Sequence, residues 1–157
     1  MKIAGSYSVA ASADRAYSML QDPEVLAKSM PGCDHMSRIG PDEYEMKMKM
    51  VISSIQGLFA GKVKIEDQNP PHSFKLSVEG TGKVGFMKGS GLLQLTPHDG
   101  FTEVAYHGEV QVGGMIASVG QRLVETSAKF VIRKFFDKLS EQIGTPETAG
   151  GAQPTST

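Results

Sequence analysis

A period of two in hydrophobicity runs through the middle of the chain and constrains its fold more than any other feature. In the segment 43–53, Tyr44, Met46, Met48 and Met50 alternate with glutamate and lysine. Because successive side chains of a β-strand point to opposite faces, this alternation predicts a strand with one apolar and one charged face. Similar alternation, interrupted by turn residues, predicts six consecutive strands, within 33–39, 43–53, 59–66, 74–79, 87–96 and 104–112.

The sequence on either side of this meander predicts one further strand and three helices. Residues 2–9 form the first strand, and Ser12 is a suitable N-cap for a short helix over 13–20. A second short helix follows over 24–29, and 113–143 predicts one long helix. A sheet with one apolar face must bury that face, and only the long helix is available to cover it. The predicted fold class is therefore α+β, with a curved antiparallel sheet wrapped around one long C-terminal helix.

The long helix has two apolar stripes. Ile116, Val119, Leu123 and Phe130 share the first stripe, which we expect to face the sheet. The second stripe holds Val124, Ala128, Phe135 and Leu139. Basic residues interleave with aromatic ones over 129–139, so Phe135 or Phe136 is a candidate for contact with an anionic membrane surface. The alternative is a buried helix whose lysine stems reach out to water.

The order of a strand, two short helices, a meander and a long helix resembles the START-like (SRPBCC) helix-grip superfamily. More narrowly, the chain resembles the CoxG subunit family of carbon monoxide dehydrogenase (CoxG-like proteins). The resemblance covers about residues 1–143. It rests on MKIAGSYSVAAS at the start, DPEVLAKSMPGC at 22–33, DEYEMKMKM at 42–50, GLFAGKV at 57–63, GTGKVGFMKGSG at 80–91 and VGGMIASVGQRLVE at 112–125.

The resemblance implies a ligand-binding domain over 1–143 with a deep cavity between helix and sheet. It also implies a place beside molybdenum hydroxylases of the CO dehydrogenase type, which such proteins help to associate with the membrane. The expected cargo is an isoprenoid quinone such as menaquinone, or a lipid, that links the enzyme to the respiratory chain. The expected partners are therefore a hydrophobic small molecule and a molybdenum hydroxylase, with no covalent cofactor.

Residue types on the apolar faces also favour a cavity. Methionine is flexible and polarisable, so three methionines in one strand suit a pliant lining. Gly120 and Ser127 on the facing helix leave volume that a solid core would fill. Tyr44 and Tyr106 are candidates for orienting a ligand, and the segment 80–91 is expected to be a loop at the mouth. The predicted lining is Met46, Met48, Met50, Phe59, Phe86, Met87, Leu93, Tyr106, Val110, Ile116, Val119, Leu123 and Phe130.

Other motifs point away from catalysis, metal binding and nucleic acid. The G-x-G-x-x-G pattern at 80–85 precedes a predicted strand, whereas a dinucleotide site needs a helix there. The four histidines lack metal-ligand spacing, and the single cysteine, Cys33, has no adjacent base. The charged residues of the strands lie at outward positions, so no acid–base pair is expected inside. A net charge of −1 gives no electrostatic reason to expect nucleic acid.

Two other functions remain open at this point. One is an assembly or membrane-recruitment factor for a molybdenum hydroxylase, with a solid core and an apolar outer helix face. The other is a cyclase- or hydrolase-like enzyme, since the helix-grip superfamily includes both. We expect a cytoplasmic protein, with peripheral contact at the inner face of the cell membrane, because the first residues lack the apolar core of a signal peptide. The last residues, 144–157, lack an apolar pattern and predict a disordered tail or linker.

Overall fold

The computed structural model describes residues 1–52 and 55–144, and the predicted tail at 145–157 lies outside the described residues. The described chain is α+β and contains the predicted strand, two short helices, six-strand meander and C-terminal helix. The strands are β1 (Lys2–Val9), β2 (Cys33–Gly40), β3 (Glu43–Ile52), β4 (Ile55–Asn69), β5 (Ser73–Gly82), β6 (Gly85–His98) and β7 (Phe101–Gly113). The helices are α1 (Ala13–Met19), α2 (Pro23–Ser29), α3 (Met115–Ser118) and α4 (Gln121–Gly144).

The seven strands form one open, curved antiparallel sheet in the order β1-β7-β6-β5-β4-β3-β2. Each strand of the meander pairs with the next, and β1 closes the far edge by pairing with β7. The register places Met48 opposite Phe59 and Val63 opposite Val78. These apolar side chains therefore share one face of the sheet, called the inner face below.

The two short helices begin at polar caps that the sequence indicates. The Ser12 side chain accepts a hydrogen bond from the backbone N–H of Arg15 (3.2 Å), which confirms the predicted cap of α1. The Asp22 side chain accepts from the N–H of Glu24 (2.9 Å), and Pro23 occupies the first turn of α2. Each cap supplies a partner to an N–H that the helix itself leaves unpaired.

The prediction of one helix over 113–143 was wrong at its start. Strand β7 continues to Gly113, and α3 is a separate short helix before α4. Gly114 and Gly120 flank α3 with φ values of 74° and 98°. These angles lie in the left-handed region, which glycine enters without steric cost and which interrupts a right-handed helix.

The face that α4 turns to the core also differs from the prediction. Val124 and Leu139 of the second stripe are buried at 4% and 0% exposure, whereas Leu123 and Phe130 of the first stripe are 46% and 49% exposed. Because Gly120 separates α3 from α4, Ile116 and Leu123 do not belong to one continuous stripe. Phe136 is buried as well and stacks on Tyr7 of β1 at 4.6 Å, so it is not a membrane contact.

Candidate functional site

The inner face of the sheet is almost purely apolar. Following the register from β3 to β7, one row across it reads Met46, Gly61, Gly80, Met87 and Val112. Among the regularly paired inner positions of β3 to β7 in the described chain, the only ionisable side chains are those of Tyr44 and Tyr106. The acids and lysines paired along these strands occupy the outer positions, as the alternation predicts.

One end of this face is filled by helices. The Tyr17 hydroxyl of α1 donates to the carbonyl of Ser73 (3.0 Å), which places α1 at the start of β5. Its ring meets Phe74 edge-on at 5.4 Å. The amide of Gln142, in the last turn of α4, donates to Ser29 Oγ of α2 (2.7 Å). This filled end therefore contains a solid core in which the largest side chains have exposures of 2% or less.

The opposite end is where β3 meets β4, β5 meets β6, and β7 meets α3, and it is more open. The backbone N–H of Ile116 donates to the carbonyl of Val84 (3.1 Å), which fixes α3 against the β5–β6 turn. Inner-face residues near this end, including Met50, Met87 and Val112, are only half-buried. We call this region the open end.

The predicted lining residues divide into three groups by exposure. Those that are buried are Met46, Met48, Phe59, Val110 and Ile116; those that are half-buried are Met50, Met87, Leu93, Tyr106 and Val119; those that are exposed are Phe86, Leu123 and Phe130. The strand members of the first two groups share the inner face. Contact of any of them with a ligand stays a prediction.

The placement of Phe86 on the inner face was wrong. Its ring lies over Gly113, its cross-strand partner, on the outer face of the sheet. Phe86 and Met87 are neighbours in one strand, so only one of them can point inward. The register selects Met87, opposite Gly80.

Segment 80–91 is not the loop that was predicted for the mouth. Strand β5 runs to Gly82 and β6 begins at Gly85, so only Lys83 and Val84 form the turn. The G-x-G-x-x-G pattern therefore spans a hairpin, with a strand on both sides.

Glycines on the inner face leave room that side chains do not occupy. A Cβ on Gly89 would have two heavy atoms outside its immediate chain neighbours within 4 Å, the Glu109 carbonyl oxygen and a Val110 methyl carbon, and both belong to β7. The three atoms nearest to a Cβ on Gly80 also belong to the sheet. The helix layer therefore does not pack tightly onto Gly89.

Only one of the two tyrosines is available to a ligand. The hydroxyl of Tyr44 donates to the backbone carbonyl of Gln21 (2.8 Å) within the core. In the described part of the chain the Tyr106 hydroxyl makes no hydrogen bond, and its ring lies parallel to that of Tyr7 at 6.3 Å. Burial, and then the neighbouring Tyr7, raise the pKa of Tyr106, so the hydroxyl remains a proton donor at neutral pH.

Two concavities lie on the sheet itself. One, of about 450 Å³, contains outward residues of β3 to β7 such as Lys62, Glu79 and Lys88. The other, of about 380 Å³, lies over β1 and β7 at Ile3 and Gly108. Neither includes a residue of α4, so the cavity between α4 and the sheet stays a prediction.

Metal and thiol chemistry find little support. Within residues 1–52 and 55–144, no three His, Cys, Asp or Glu side chains come together as a metal site. Burial raises the pKa of the Cys33 thiol, which is the opposite of what activates a nucleophile. His98 stacks on Phe101 at 4.6 Å and has Nε2 3.9 Å from Glu103 at the edge of the sheet.

The sequence analysis missed three exposed apolar side chains at the open end. Val51, Leu58 and Met115 are 59%, 74% and 55% exposed. Val51 and Leu58 occupy outward strand positions that are charged elsewhere in the same strands. An apolar residue at a charged position of an alternating strand is the signal that would have identified them.

The family model of the carbon monoxide dehydrogenase CoxG subunit matches residues 5–144. The chain belongs to this family. Among solved structures, a conserved protein from Geobacillus kaustophilus is 33% identical, with a TM-score of 0.87 over 91% of this chain and 95% of that one. A comparison with curated proteins finds no match.

More distant structures share the fold of this CoxG family member. A START superfamily protein from Mycobacterium smegmatis is 15% identical, with a TM-score of 0.69 over 90% of this chain and 96% of that one. A protein from Thermus thermophilus is 11% identical, with a TM-score of 0.67 over 91% and 97%. The family and the START-like fold support a ligand-binding or accessory role. In the described residues, no helix has the length and apolar composition needed to cross a bilayer.

Proposed function

We propose that this protein is a non-enzymatic carrier that binds an apolar ligand between α4 and the inner face of the sheet, towards the open end. The observation that carries the proposal is the uneven filling of that face. Helices α1 and α2 and the last turns of α4 fill one end, whereas Met50, Met87 and Val112 stay half-buried at the other. Apolar surface that a protein leaves unfilled in its interior is available to an apolar ligand.

The residues at this end suit cargo of variable shape. Methionine side chains adapt to irregular surfaces because they are unbranched and polarisable. Gly89 leaves space in which a ligand can contact the sheet closely. The ligand gains about 25 cal/mol for each Å² of apolar surface removed from water, before the entropic costs of binding.

The polar groups favour binding over acid–base catalysis. The regularly paired inner positions of β3 to β7 offer no carboxylate or imidazole in the described chain, and Tyr44 is already paired with Gln21. Tyr106 remains as a hydroxyl donor with a raised pKa. A carbonyl oxygen on an otherwise apolar molecule matches that donor, and this supports an isoprenoid quinone such as menaquinone over a plain hydrocarbon.

The family to which the chain belongs supplies the biological context. It takes its name from carbon monoxide dehydrogenase, and we propose a molybdenum hydroxylase of that type as the partner. A bound quinone would then link that enzyme to the respiratory chain at the inner face of the membrane.

Native mass spectrometry of the full chain, incubated with menaquinone in the absence of detergent, tests the proposal. We expect a one-to-one adduct with the unmodified protein. Gly89→Leu places four carbons on the inner face and is expected to abolish the adduct. Its matched control is Ser90→Leu, which adds apolar volume at the adjacent outward position and should leave the adduct intact.

Two results would contradict the carrier. One is an unmodified mass after incubation with quinones and lipids. The other is an adduct that both variants retain equally. Circular dichroism and thermal unfolding of each variant show whether the fold has survived the substitution.

A second function, recruitment of the enzyme without cargo, is favoured by one observation. Leu123 and Phe130 are about half exposed on α4, which gives that helix an apolar outer surface. Recruitment alone predicts that Leu123→Arg abolishes binding of the enzyme while Gly89→Leu has no effect on it. Loss of activity coupling on Gly89→Leu, with enzyme binding intact, supports the carrier.

A further inference from the structure

The charges of the chain are segregated along the sequence. Segments 46–65, 80–98 and 110–124 contain seven of the 16 lysines and arginines and none of the 17 aspartates and glutamates. In an alternating strand the outward positions normally mix both signs, so three long segments without an acid are unusual for a protein whose net charge is −1.

The fold brings these three segments together at the open end. A Cβ on Gly57 would lie 2.9 Å from Val84 Cγ2, so the tips of the β3–β4 and β5–β6 hairpins touch. The hydrogen bond from Ile116 to Val84 adds α3 and the start of α4. Lys47, Lys49, Lys83 and Arg122 are exposed here, and no ion pair involves them in the described part of the chain.

The filled end carries acids at its turns. Asp42, Asp67 and Asp99 lie at or beside its three turns, and Glu24 lies in the first turn of α2. A hydrogen bond from Gln68 Nε2 to Asp42 Oδ1 (3.0 Å) joins two of these turns. The molecule is therefore electrostatically polar along the strand direction, with its acid-free segments meeting at the open end.

Exposed apolar side chains coincide with the cations. Val51, Leu58, Phe86, Met115 and Leu123 are between 43% and 74% exposed. We call these five residues the apolar rim. Leu58 is paired with Lys49 across β3 and β4, so an apolar side chain and a free cation are direct neighbours.

We infer that the apolar rim, with its surrounding lysines and arginine, docks on the surface of an anionic lipid bilayer. Apolar side chains that enter the interfacial region, flanked by cations that meet acidic headgroups, are the combination that binds peripheral proteins to such membranes. The acidic turns then point away from the membrane, where repulsion by the headgroups is least. Charge complementarity thus specifies both the occupant and the orientation.

The position of the rim also gives the docking a purpose, which rests on the function proposed above. The rim surrounds the open end of the inner face. A protein docked in this orientation would exchange an apolar ligand with the bilayer without exposing it to water. The docking surface itself requires no cargo, so the two proposals can fail independently.

Co-sedimentation of the full chain with lipid vesicles tests the surface. We expect binding to vesicles of phosphatidylcholine mixed with phosphatidylglycerol, weaker binding in high salt, and little binding to phosphatidylcholine alone. Leu58→Asp, at a side chain that makes no part of the core, is expected to lower partitioning at least about tenfold. Each of Lys49→Glu and Lys83→Glu should lower it about fivefold or more.

Matched substitutions at the filled end serve as controls. Ile39→Asp changes another exposed apolar strand residue, and Lys75→Glu reverses another exposed lysine. Neither should change partitioning more than about twofold. Circular dichroism confirms that all five variants are folded.

Three outcomes would overturn the inference. One is equal binding to neutral and anionic vesicles or to neither. Another is an equal loss on the rim and control substitutions. The last is a rim that, when substituted, loses capture of a purified molybdenum hydroxylase while vesicle binding persists, which would make it a protein interface. Menaquinone adducts of Leu58→Asp in solution separate this result from the carrier: an intact adduct with lost docking, or the reverse, identifies which proposal has failed.

Discussion

The hydroxyl of Tyr44 on β3 donates a hydrogen bond to the backbone carbonyl of Gln21, 2.8 Å away. Gln21 lies between α1 and α2, so this bond ties the corner between the two short helices to the middle of the sheet. Tyr44 is 2% exposed, and no water replaces a partner that is lost there. The pair therefore belongs to the filled end and not to the ligand site.

Tyr44→Phe is expected to lower the free energy of unfolding by about 1–2 kcal/mol, because it removes a buried hydrogen bond and leaves the Gln21 carbonyl unpaired. Tyr106→Phe, whose hydroxyl has no partner in the described chain, is the control and should change it by less than about 0.5 kcal/mol. Urea unfolding followed by circular dichroism measures both. Equal effects would mean that the Gln21 bond contributes nothing.

Helix α4 gives a second prediction because its buried face is the reverse of the sequence expectation. Leu139→Ala, at a residue with 0% exposure, should destabilise the protein by about 2–5 kcal/mol. Leu123→Ala, at a residue with 46% exposure, should cost less than about 1 kcal/mol. Chemical denaturation of the two variants side by side measures the difference. A larger cost at Leu123 would restore the first stripe as the core face.

This reversal illustrates what the sequence could and could not predict. Alternation of Tyr44, Met46 and Met48 with charged residues predicted strands and their inner face, because a pleated strand permits only two directions. The helix break did not follow, since one glycine costs an exposed helix only about 1 kcal/mol and Gly120 alone does not require an interruption. The left-handed angles at Gly114 and Gly120 decide it, and these depend on how α3 docks on Val84.

The candidate site was predicted in part for a similar reason. Residues on one strand, such as Met46 and Met48, were correctly placed on one face. The outward placement of Phe86 depends on pairing with Gly113, a partner distant in sequence whose register no local pattern specifies. Likewise, Leu58 and Val84 come to the same end of the sheet only when the two hairpins are assembled.

Cys33 offers a third prediction, which concerns reactivity and pH. Burial raises the pKa of its thiol, and a nearby Asp34 acts in the same direction, while a weak hydrogen bond to the His35 carbonyl opposes them. A raised pKa means less thiolate at a given pH, so alkylation by iodoacetamide should be slower than for a free cysteine at neutral pH. The rate should rise only at more alkaline pH than it does in the unfolded chain. Intact mass measured over time in native buffer and in urea compares the two, and faster reaction of the native protein would contradict the burial.

The last prediction contrasts two glycines that occupy adjacent positions in the sheet but differ in the space above them. A Cβ on Gly108 would collide with the carbonyl oxygen of Ser90, and it would lie 2.8 Å from Gly91 Cα. Both obstacles are backbone atoms, which cannot turn aside as a flexible side chain can. Gly108→Ala is therefore expected to destabilise the protein by about 1–3 kcal/mol.

Gly89→Ala should have the opposite sign. A Cβ there would make ordinary contacts at 3.4 and 3.6 Å, both with β7. Alanine also loses less conformational freedom on folding than glycine, so the variant should be more stable by up to about 0.5–1 kcal/mol. Thermal unfolding of the two variants, with and without menaquinone, tests the space and its use together. Stabilisation of the ligand-free Gly89→Ala protein combined with a smaller shift on adding menaquinone is expected, because the new methyl group occupies room that the ligand needs. Destabilisation of the ligand-free protein would mean that α4 already packs against Gly89, and the inner face would then have no room for cargo at this position.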